Sequence, residues 1–115
     1  MKTKRDYITF LEDMYDAVCK GILFTNDMTY EQFETDDKTQ YAVIRAIEII
    51  GEASKKIPEN IRTQSIEIPW TNVSGMRDVL IHDYFGVNIR VVWETAKKDL
   101  PDLKKQLHLL IKDLK

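Results

Sequence analysis

The sequence has little of the residue types on which many catalytic and disulfide-stabilised proteins depend. Its 115 residues include one cysteine, Cys19, and two histidines, His82 and His108. A single cysteine cannot form an internal disulfide, and Cys19 lies in an apolar helical pattern that favours a buried thiol. The sequence contains no HExxH motif, no paired CxxC motif and no glycine-rich phosphate loop. It therefore predicts neither a protein-bound metal ion nor a P-loop nucleotide site, and no cofactor is expected.

Long hydrophobic runs are also missing. No stretch of about 18 apolar residues could cross a membrane, and the N-terminus is not of the basic-then-apolar secretory kind. We therefore expect a cytoplasmic protein that makes no membrane contact. A length of 115 residues is enough for one hydrophobic core, so residues 1–115 are expected to form a single domain.

The formal net charge of −2 hides an uneven distribution of charge. Residues 6–37 carry nine acids and one base, whereas residues 86–115 carry seven bases and four acids. A protein that coats nucleic acid non-specifically is usually basic overall, so any RNA binding here must be local. The acidic half is free to dock a basic partner, for example through Asp13, Asp16 or Asp36.

Apolar residues recur at spacings of three and four along the chain, which is the period of an amphipathic helix. One such stripe spans residues 7–22 and a second spans residues 43–57, while residues 26–35 hold turn signals and predict a short polar connection. Residues 88–115 predict one bent helix or two, because Pro101 interrupts the pattern. No strand-like alternation competes with these stripes. We expect an all-α fold, an up-and-down bundle of four to five helices.

The segment "MRDVLIHDYFG", residues 76–86, is the most distinctive part of the sequence. Asp78 and His82 are four residues apart, so on a helix the carboxylate can accept a hydrogen bond from the imidazole and fix its tautomer. Arg77 and His82 are five residues apart, about 140° around an ideal helix, so one helix does not aim both at one point. Convergence requires the arginine stem to wrap around the helix, or a second copy of the helix across a two-fold interface.

These residue types suit the cleavage of RNA. Arginine offers a permanently charged fork for a phosphate, and histidine can exchange a proton near neutral pH. Together Arg77 and His82 could cleave RNA without a metal ion, with the imidazole assisting attack of a 2′-hydroxyl on the adjacent phosphate. The alternative is that these residues have no catalytic role. In that case Arg77 and Asp78 are solvated, His82 lies near a helix end with its hydrogen bonds satisfied, and Tyr84 packs with its hydroxyl outward. Arginine and histidine on one helix are a weak signal, so spacing alone leaves both interpretations open.

Other candidate residues favour structural roles. His108 lies in the C-terminal leucine-rich stripe, at an angle that could face solvent, with no second ligand nearby. Trp70 and Trp93 are expected to be core or interface anchors, although an exposed Trp70 could stack on a base. The pairs Lys97–Lys98 and Lys104–Lys105 are expected on a solvated face, or as guides for RNA in a dimer.

The run "MRDVLIHDY" resembles the motif of an arginine, four residues, a histidine, any residue and a tyrosine that is typical of HepT-like toxins. These toxins are a branch of the HEPN (higher eukaryotes and prokaryotes nucleotide-binding) superfamily. Three segments are also similar to this family in their sequence and in their order along the chain: "AIEIIGEASKKIP", "IPWTNVSGMRDVLIHDYFGVN" and "VVWETAKKDLPDL". Together with the first helix, the resemblance covers nearly the whole chain.

The resemblance implies a HEPN-like homodimer with the two motif helices near the two-fold axis. It implies a metal-independent endoribonuclease toxin that acts on tRNA or mRNA, with Arg77 as phosphate clamp and His82 as acid or base. It also implies a minimal nucleotidyltransferase (MNT) antitoxin that transfers AMP to Tyr84. The added phosphodiester would bring negative charge and bulk to the place of an RNA phosphate. The family commonly has a polar residue where Asp78 stands, and the supporting role of Asp78 rests on its spacing from His82.

A second hypothesis from another class is a non-catalytic helical module that binds a nucleotide or docks the partner transferase through its acidic half. Under the ribonuclease hypothesis, His82→Ala abolishes RNA cleavage. Under the module hypothesis, that substitution does little and charge changes in the acidic half weaken the complex.

Overall fold

The structure, a computed structural model, describes residues 2–81 and 88–115, with residues 77–81 described by their backbone alone. The described residues form helices and no strand, so the predicted all-α class is confirmed. None of the described helices has both the length and the hydrophobicity needed to span a membrane. The elements in chain order are α1 (Lys4–Thr25), α2 (Tyr30–Glu34), α3 (Asp37–Ser54), α4 (Glu59–Arg62), α5 (Trp70–Ile81), α6 (Ile89–Glu94), a π turn (Thr95–Asp99) and α7 (Leu100–Leu114).

The longer helices pack side by side in a bundle. Helix α1 contacts both α3 and α7, and α3 contacts α5. Near one end of the bundle, the ammonium group of Lys115 lies 3.0 Å from the carboxylate of Glu12. Near the other end, Lys97 Nζ donates a hydrogen bond of 2.6 Å to the backbone carbonyl of Thr25. Helices α1 and α7 therefore run antiparallel, as an up-and-down bundle requires.

The predicted apolar stripes form the hydrophobic core. Stripe residues of α1, α3 and α7 are buried, because residues three and four apart lie on one face of a helix. Trp70 and Val73 add the first turn of α5 to the same core. The largest fully buried side chains are Phe33, Leu11, Met14, Ile47, Ile50, Ile68, Leu100, Leu107, Leu110, Val18, Val43 and Val73.

The prediction of a short polar connection over residues 26–35 was wrong, because helix α2 lies within it. The hydroxyl of Thr29 accepts a hydrogen bond from the backbone N–H of Gln32 at 3.2 Å. The side chain of Gln32 accepts one from the backbone N–H of Thr29 at 2.9 Å. This reciprocal capping box begins α2, and Phe33 on α2 is fully buried.

The C-terminal segment is one continuous helical run from α6 through the π turn to α7. The side chain of Asn88 caps it by accepting from the backbone N–H groups of Arg90 at 3.0 Å and Val91 at 3.3 Å. The backbone N–H of Leu100 bonds to the carbonyl of Thr95, five residues earlier. Pro101 follows directly and has no N–H to donate. The irregularity that the sequence predicted at Pro101 is thus present, as a π turn within one run.

Candidate functional site

Helix α5 carries the first half of the predicted site. The backbones of Arg77 and Asp78 are helical, in the last two turns of α5. His82 and Tyr84 lie outside the described residues. The convergence of these four side chains therefore stays a prediction, while the helix that presents Arg77 is part of the bundle.

Trp70 anchors the first turn of α5. Its indole N–H donates to the backbone carbonyls of Arg62 at 3.2 Å and Ser65 at 3.1 Å. The guanidinium of Arg62 also lies 5.4 Å from the centre of the indole ring. Since Trp70 is buried, it has no face open to a nucleic-acid base. The prediction of a core anchor is confirmed, and the stacking interpretation of Trp70 was wrong.

A polar link joins α5 to the end of α3. The hydroxyls of Ser74 and Ser54 lie 2.9 Å apart, and Ser54 is fully buried. Arg62 Nη2 donates to the carbonyl of Ser54 at 2.8 Å, and Arg62 Nε donates to the carbonyl of Ile57 at 2.9 Å. These bonds tie α4 to the end of α3 and to the turn that follows it, where the Ser54 carbonyl also accepts a hydrogen bond from the backbone N–H of Ile57 at 3.1 Å. The half of α5 that precedes Arg77 is therefore held on both its apolar and its polar side.

Two cavities flank this half of α5, and Asp99 lines both of them. One cavity has a volume of about 220 Å³ and the other about 360 Å³. Both are also lined by Asn72 and by Met76, the residue before Arg77. Partial burial raises the pKa of the Asp99 carboxyl and the nearby charge of Asp102 raises it further, while the charge of Lys98 acts in the opposite direction.

Asp99 is not among the site residues that the sequence predicts. It ends the π turn, and π turns inside helices are frequent at functional sites. No described residue forms an ion pair with it. Asp99 therefore places a carboxyl beside the helix that carries Arg77.

The lysine pairs have different surroundings. Lys97 is partly buried, donates to the end of α1 and lies 4.8 Å from the ring centre of Trp93, so its expected place on a solvated face was wrong. The physical reason is that its ammonium satisfies a carbonyl at a helix C-terminus. Lys98 is exposed and pairs with Glu94 at 2.7 Å. Lys104–Lys105 is exposed, as expected.

The remaining candidates are structural or lie on the surface. Trp93 packs against Phe33, with ring centres 5.3 Å apart, which confirms its role in the core. His108 is exposed, with its ring 6.2 Å from that of Tyr15. Cys19 is a free thiol, but it is only half-buried, less than its pattern predicted. In the part of the chain that the structure describes, no three histidine, cysteine, aspartate or glutamate side chains form a group that could hold a metal ion.

The three acids predicted for partner docking differ in their contacts. Asp36 caps α3 by accepting from the Thr39 hydroxyl at 2.7 Å and from the Thr39 backbone N–H at 3.0 Å. These two hydrogen bonds lower the pKa of Asp36, because they favour its charged form. Asp16 pairs with Lys20 at 2.8 Å. Asp13 is exposed.

The helical bundle, together with the sequence motif that begins at Arg77 on α5, defines the class of protein. The family model described as ribonuclease HepT-like matches residues 5–110. The chain therefore belongs to the ribonuclease HepT-like family, and the resemblance stated from the motif is confirmed.

Known relatives match over nearly their full length. A Methanocaldococcus jannaschii protein named "Putative RNase" is 50% identical over 111 residues, which are 96% of both chains. A second protein of that organism with the same designation is 48% identical, over 96% of this chain and 92% of the relative. A Thermococcus cleftensis protein named "Probable ribonuclease HepT" is 50% identical, over 95% of this chain and 99% of the relative. No solved structure matches the chain significantly.

Proposed function

We propose that this protein is a metal-independent endoribonuclease and the toxin of a toxin–antitoxin pair in the cytoplasm. The observation that carries the proposal is the family match over residues 5–110, together with relatives named as RNases at up to 50% identity. The anchoring of α5 supports it, because a catalytic group needs a rigid helix beneath it. Trp70 and the Ser54–Ser74 link supply that rigidity.

The chemistry assigned to the motif is transesterification within RNA. His82 removes the proton from a 2′-hydroxyl, and that oxygen attacks the adjacent phosphorus. Arg77 binds the phosphate oxygens and stabilises the negative charge that develops on them. The 5′-oxygen of the next nucleotide leaves and takes up a proton from water, and the His82 imidazolium then returns its proton to the solvent. The products are a 2′,3′-cyclic phosphate and a 5′-hydroxyl, with tRNA or mRNA as the substrate.

The active form in this proposal is a homodimer, in which each protomer forms a single domain from residues 1–115. Arg77 and His82 diverge by about 140° on one ideal helix, so the simplest convergent arrangement uses both copies of α5. A two-fold axis beside α5 brings Arg77 of one protomer and His82 of the other into one cleft. Asp78, four residues before His82, orients the imidazole.

Regulation in this proposal acts at Tyr84. A minimal nucleotidyltransferase antitoxin transfers AMP from ATP to the Tyr84 hydroxyl, which forms a phosphodiester and releases pyrophosphate. The attached AMP adds a negative charge beside the place of the RNA phosphate and repels it. The modified toxin keeps its fold and loses its substrate.

The test is RNA cleavage of a tRNA pool and of an mRNA in the presence of a metal chelator, with protein verified as unmodified. Wild type should cleave and leave 2′,3′-cyclic phosphate ends. The His82→Ala variant should lose a factor of about 10²–10⁴ in rate, the usual contribution of a general acid or base. The matched control is His108→Ala, because His108 is the chain's second histidine and is exposed on α7.

Two results would contradict the proposal. One is equal cleavage by wild type and His82→Ala. The other is no cleavage of either RNA by unmodified wild-type protein, which would favour the non-catalytic module.

A further inference from the structure

A groove of about 610 Å³ lies between α1 and α7. Tyr15 and Ile22 line it from α1, and Pro101 and Leu109 line it from α7. Leu109 is 60% exposed, although it belongs to a helix whose other leucines form the core. An exposed leucine beside an apolar groove is typical of a surface that binds a partner.

The rim of the groove is basic. Lys104, Lys105 and His108 line it from α7, and none of the ion pairs among the described residues involves these lysines. The acids on the adjacent face of α1 are already neutralised. Glu12 pairs with Lys115 at 3.0 Å, and Asp16 pairs with Lys20 at 2.8 Å. The groove therefore combines an apolar floor with two rim lysines that form no ion pair among the described residues.

We propose that this groove docks an amphipathic helix of a partner protein, with an apolar stripe flanked by acidic side chains. The stripe lies on Ile22 and Leu109, and the acids face Lys104 and Lys105. Helix-in-groove recognition uses such a stripe, and complementary charge sets its orientation. The surface is distinct from the candidate site, because α5 borders α7 at Leu103 and Gln106, on another face of that helix.

Two other occupants fit the groove less well. A second copy placed by a two-fold axis through the groove would bring Lys104 and Lys105 of both chains together, and like charges at close range repel. Single-stranded RNA would use the lysines but needs aromatic faces on which bases stack. Most of the apolar lining is aliphatic, and the one tyrosine, Tyr15, has its ring beside that of His108.

The test uses the full chain and two labelled helical peptides of equal length, each with a leucine stripe. One peptide carries glutamates beside the stripe and the other carries lysines. Fluorescence anisotropy should show binding of the acidic peptide that weakens with salt, and weaker binding of the basic peptide. Leu109→Glu should reduce the affinity for the acidic peptide about tenfold or more, the usual effect of truncating or charging a central contact. Lys104→Glu/Lys105→Glu should do the same and should increase binding of the basic peptide.

Matched controls separate the groove from general changes in charge. Ile66→Glu places a charge at another exposed apolar residue, 81% exposed and outside the groove. Lys38→Glu/Lys55→Glu makes the same change in net charge at exposed lysines elsewhere. Both variants should bind the acidic peptide as wild type does. Circular dichroism should show the same helicity for all variants, since every substituted side chain is exposed.

Four outcomes would overturn the proposal. The first is no binding of the acidic peptide, and the second is equal binding of both peptides at every salt concentration. The third is self-association of wild type, measured by sedimentation, that Leu109→Glu abolishes, since a second copy then covers the groove. The fourth is displacement of the acidic peptide from wild type by single-stranded RNA, with weaker RNA binding by the Lys104→Glu/Lys105→Glu variant.

Discussion

Replacing Gly21 with alanine measures how closely α1 approaches α7. A Cβ atom at Gly21 would lie 2.6 Å from Leu100 Cδ1 and 3.9 Å from the Cβ of Ala46. Carbon atoms in contact need about 3.5 Å, and Leu100 is fully buried, so the new methyl group must displace a core side chain. Overpacking of this kind costs about 1–3 kcal/mol. The better helix propensity of alanine offsets about 1 kcal/mol of it.

The expected net change for Gly21→Ala is a loss of up to about 2 kcal/mol in the free energy of unfolding. The matched control is Gly75→Ala on α5, where no atom of another element among the described residues lies within 4 Å of the new Cβ. That variant should gain about 1 kcal/mol from helix propensity alone. The two variants should thus differ by about 1–3 kcal/mol.

Denaturant unfolding followed by circular dichroism gives both free energies. All proteins must be compared at one concentration, because any dimerisation makes apparent stability depend on concentration. If Gly21→Ala is stabilised as much as Gly75→Ala, the close approach of α1 to Leu100 is refuted, and with it the packing of the two helices described above.

Two further predictions concern polar contacts at helix ends. Lys97→Met removes the donor to the Thr25 carbonyl and should lower the free energy of unfolding by about 1 kcal/mol, whereas Lys98→Met, which breaks an exposed ion pair, should cost less in the same unfolding assay. Equal losses would show that the contact to Thr25 is not special. The hydrogen bonds to Thr39 lower the pKa of Asp36 from its ordinary value of 3.8. The stability that these bonds contribute is therefore present above the pKa of the unfolded chain and is lost as the pH falls through the lower pKa of the folded protein. Asp36→Asn should keep the cap and remove this part of the acid destabilisation, measured as denaturant midpoints across the acid range; an unchanged acid profile would contradict the assigned cause.

The long helices could be predicted from the sequence because each buries a stripe that recurs at helical spacing over several turns. Helix α2 was missed because five residues, Tyr30–Glu34, are too few to show a period. The available signal was local: Thr29 followed three residues later by Gln32 is a capping box, and the buried Phe33 adjoins it.

Contacts between distant parts of the chain could not be predicted from the sequence in this way. Lys97 looks like any surface lysine in the sequence, and its role depends on where the end of α1 lies, 72 residues away. Asp99 is similar, because only the position of the π turn beside α5 brings its carboxyl to the two cavities next to Met76. The angle between Arg77 and His82 could be predicted from their spacing in the sequence, since it follows from the geometry of a single ideal helix.

The contacts of the acidic residues also decide how the ribonuclease and docking hypotheses are separated. A complex weakened by replacing Asp36 would have two explanations, because Asp36 caps α3 as well as carrying charge. Asp16 is tied to Lys20, so its replacement also frees a lysine. Asp13 is exposed and has no ion pair among the described residues. Weakened partner binding in Asp13→Asn, with cleavage by the free protein unchanged, therefore reports docking through the acidic half alone. That result assigns the acidic half to the partner and leaves the catalytic role of His82 to be decided by RNA cleavage.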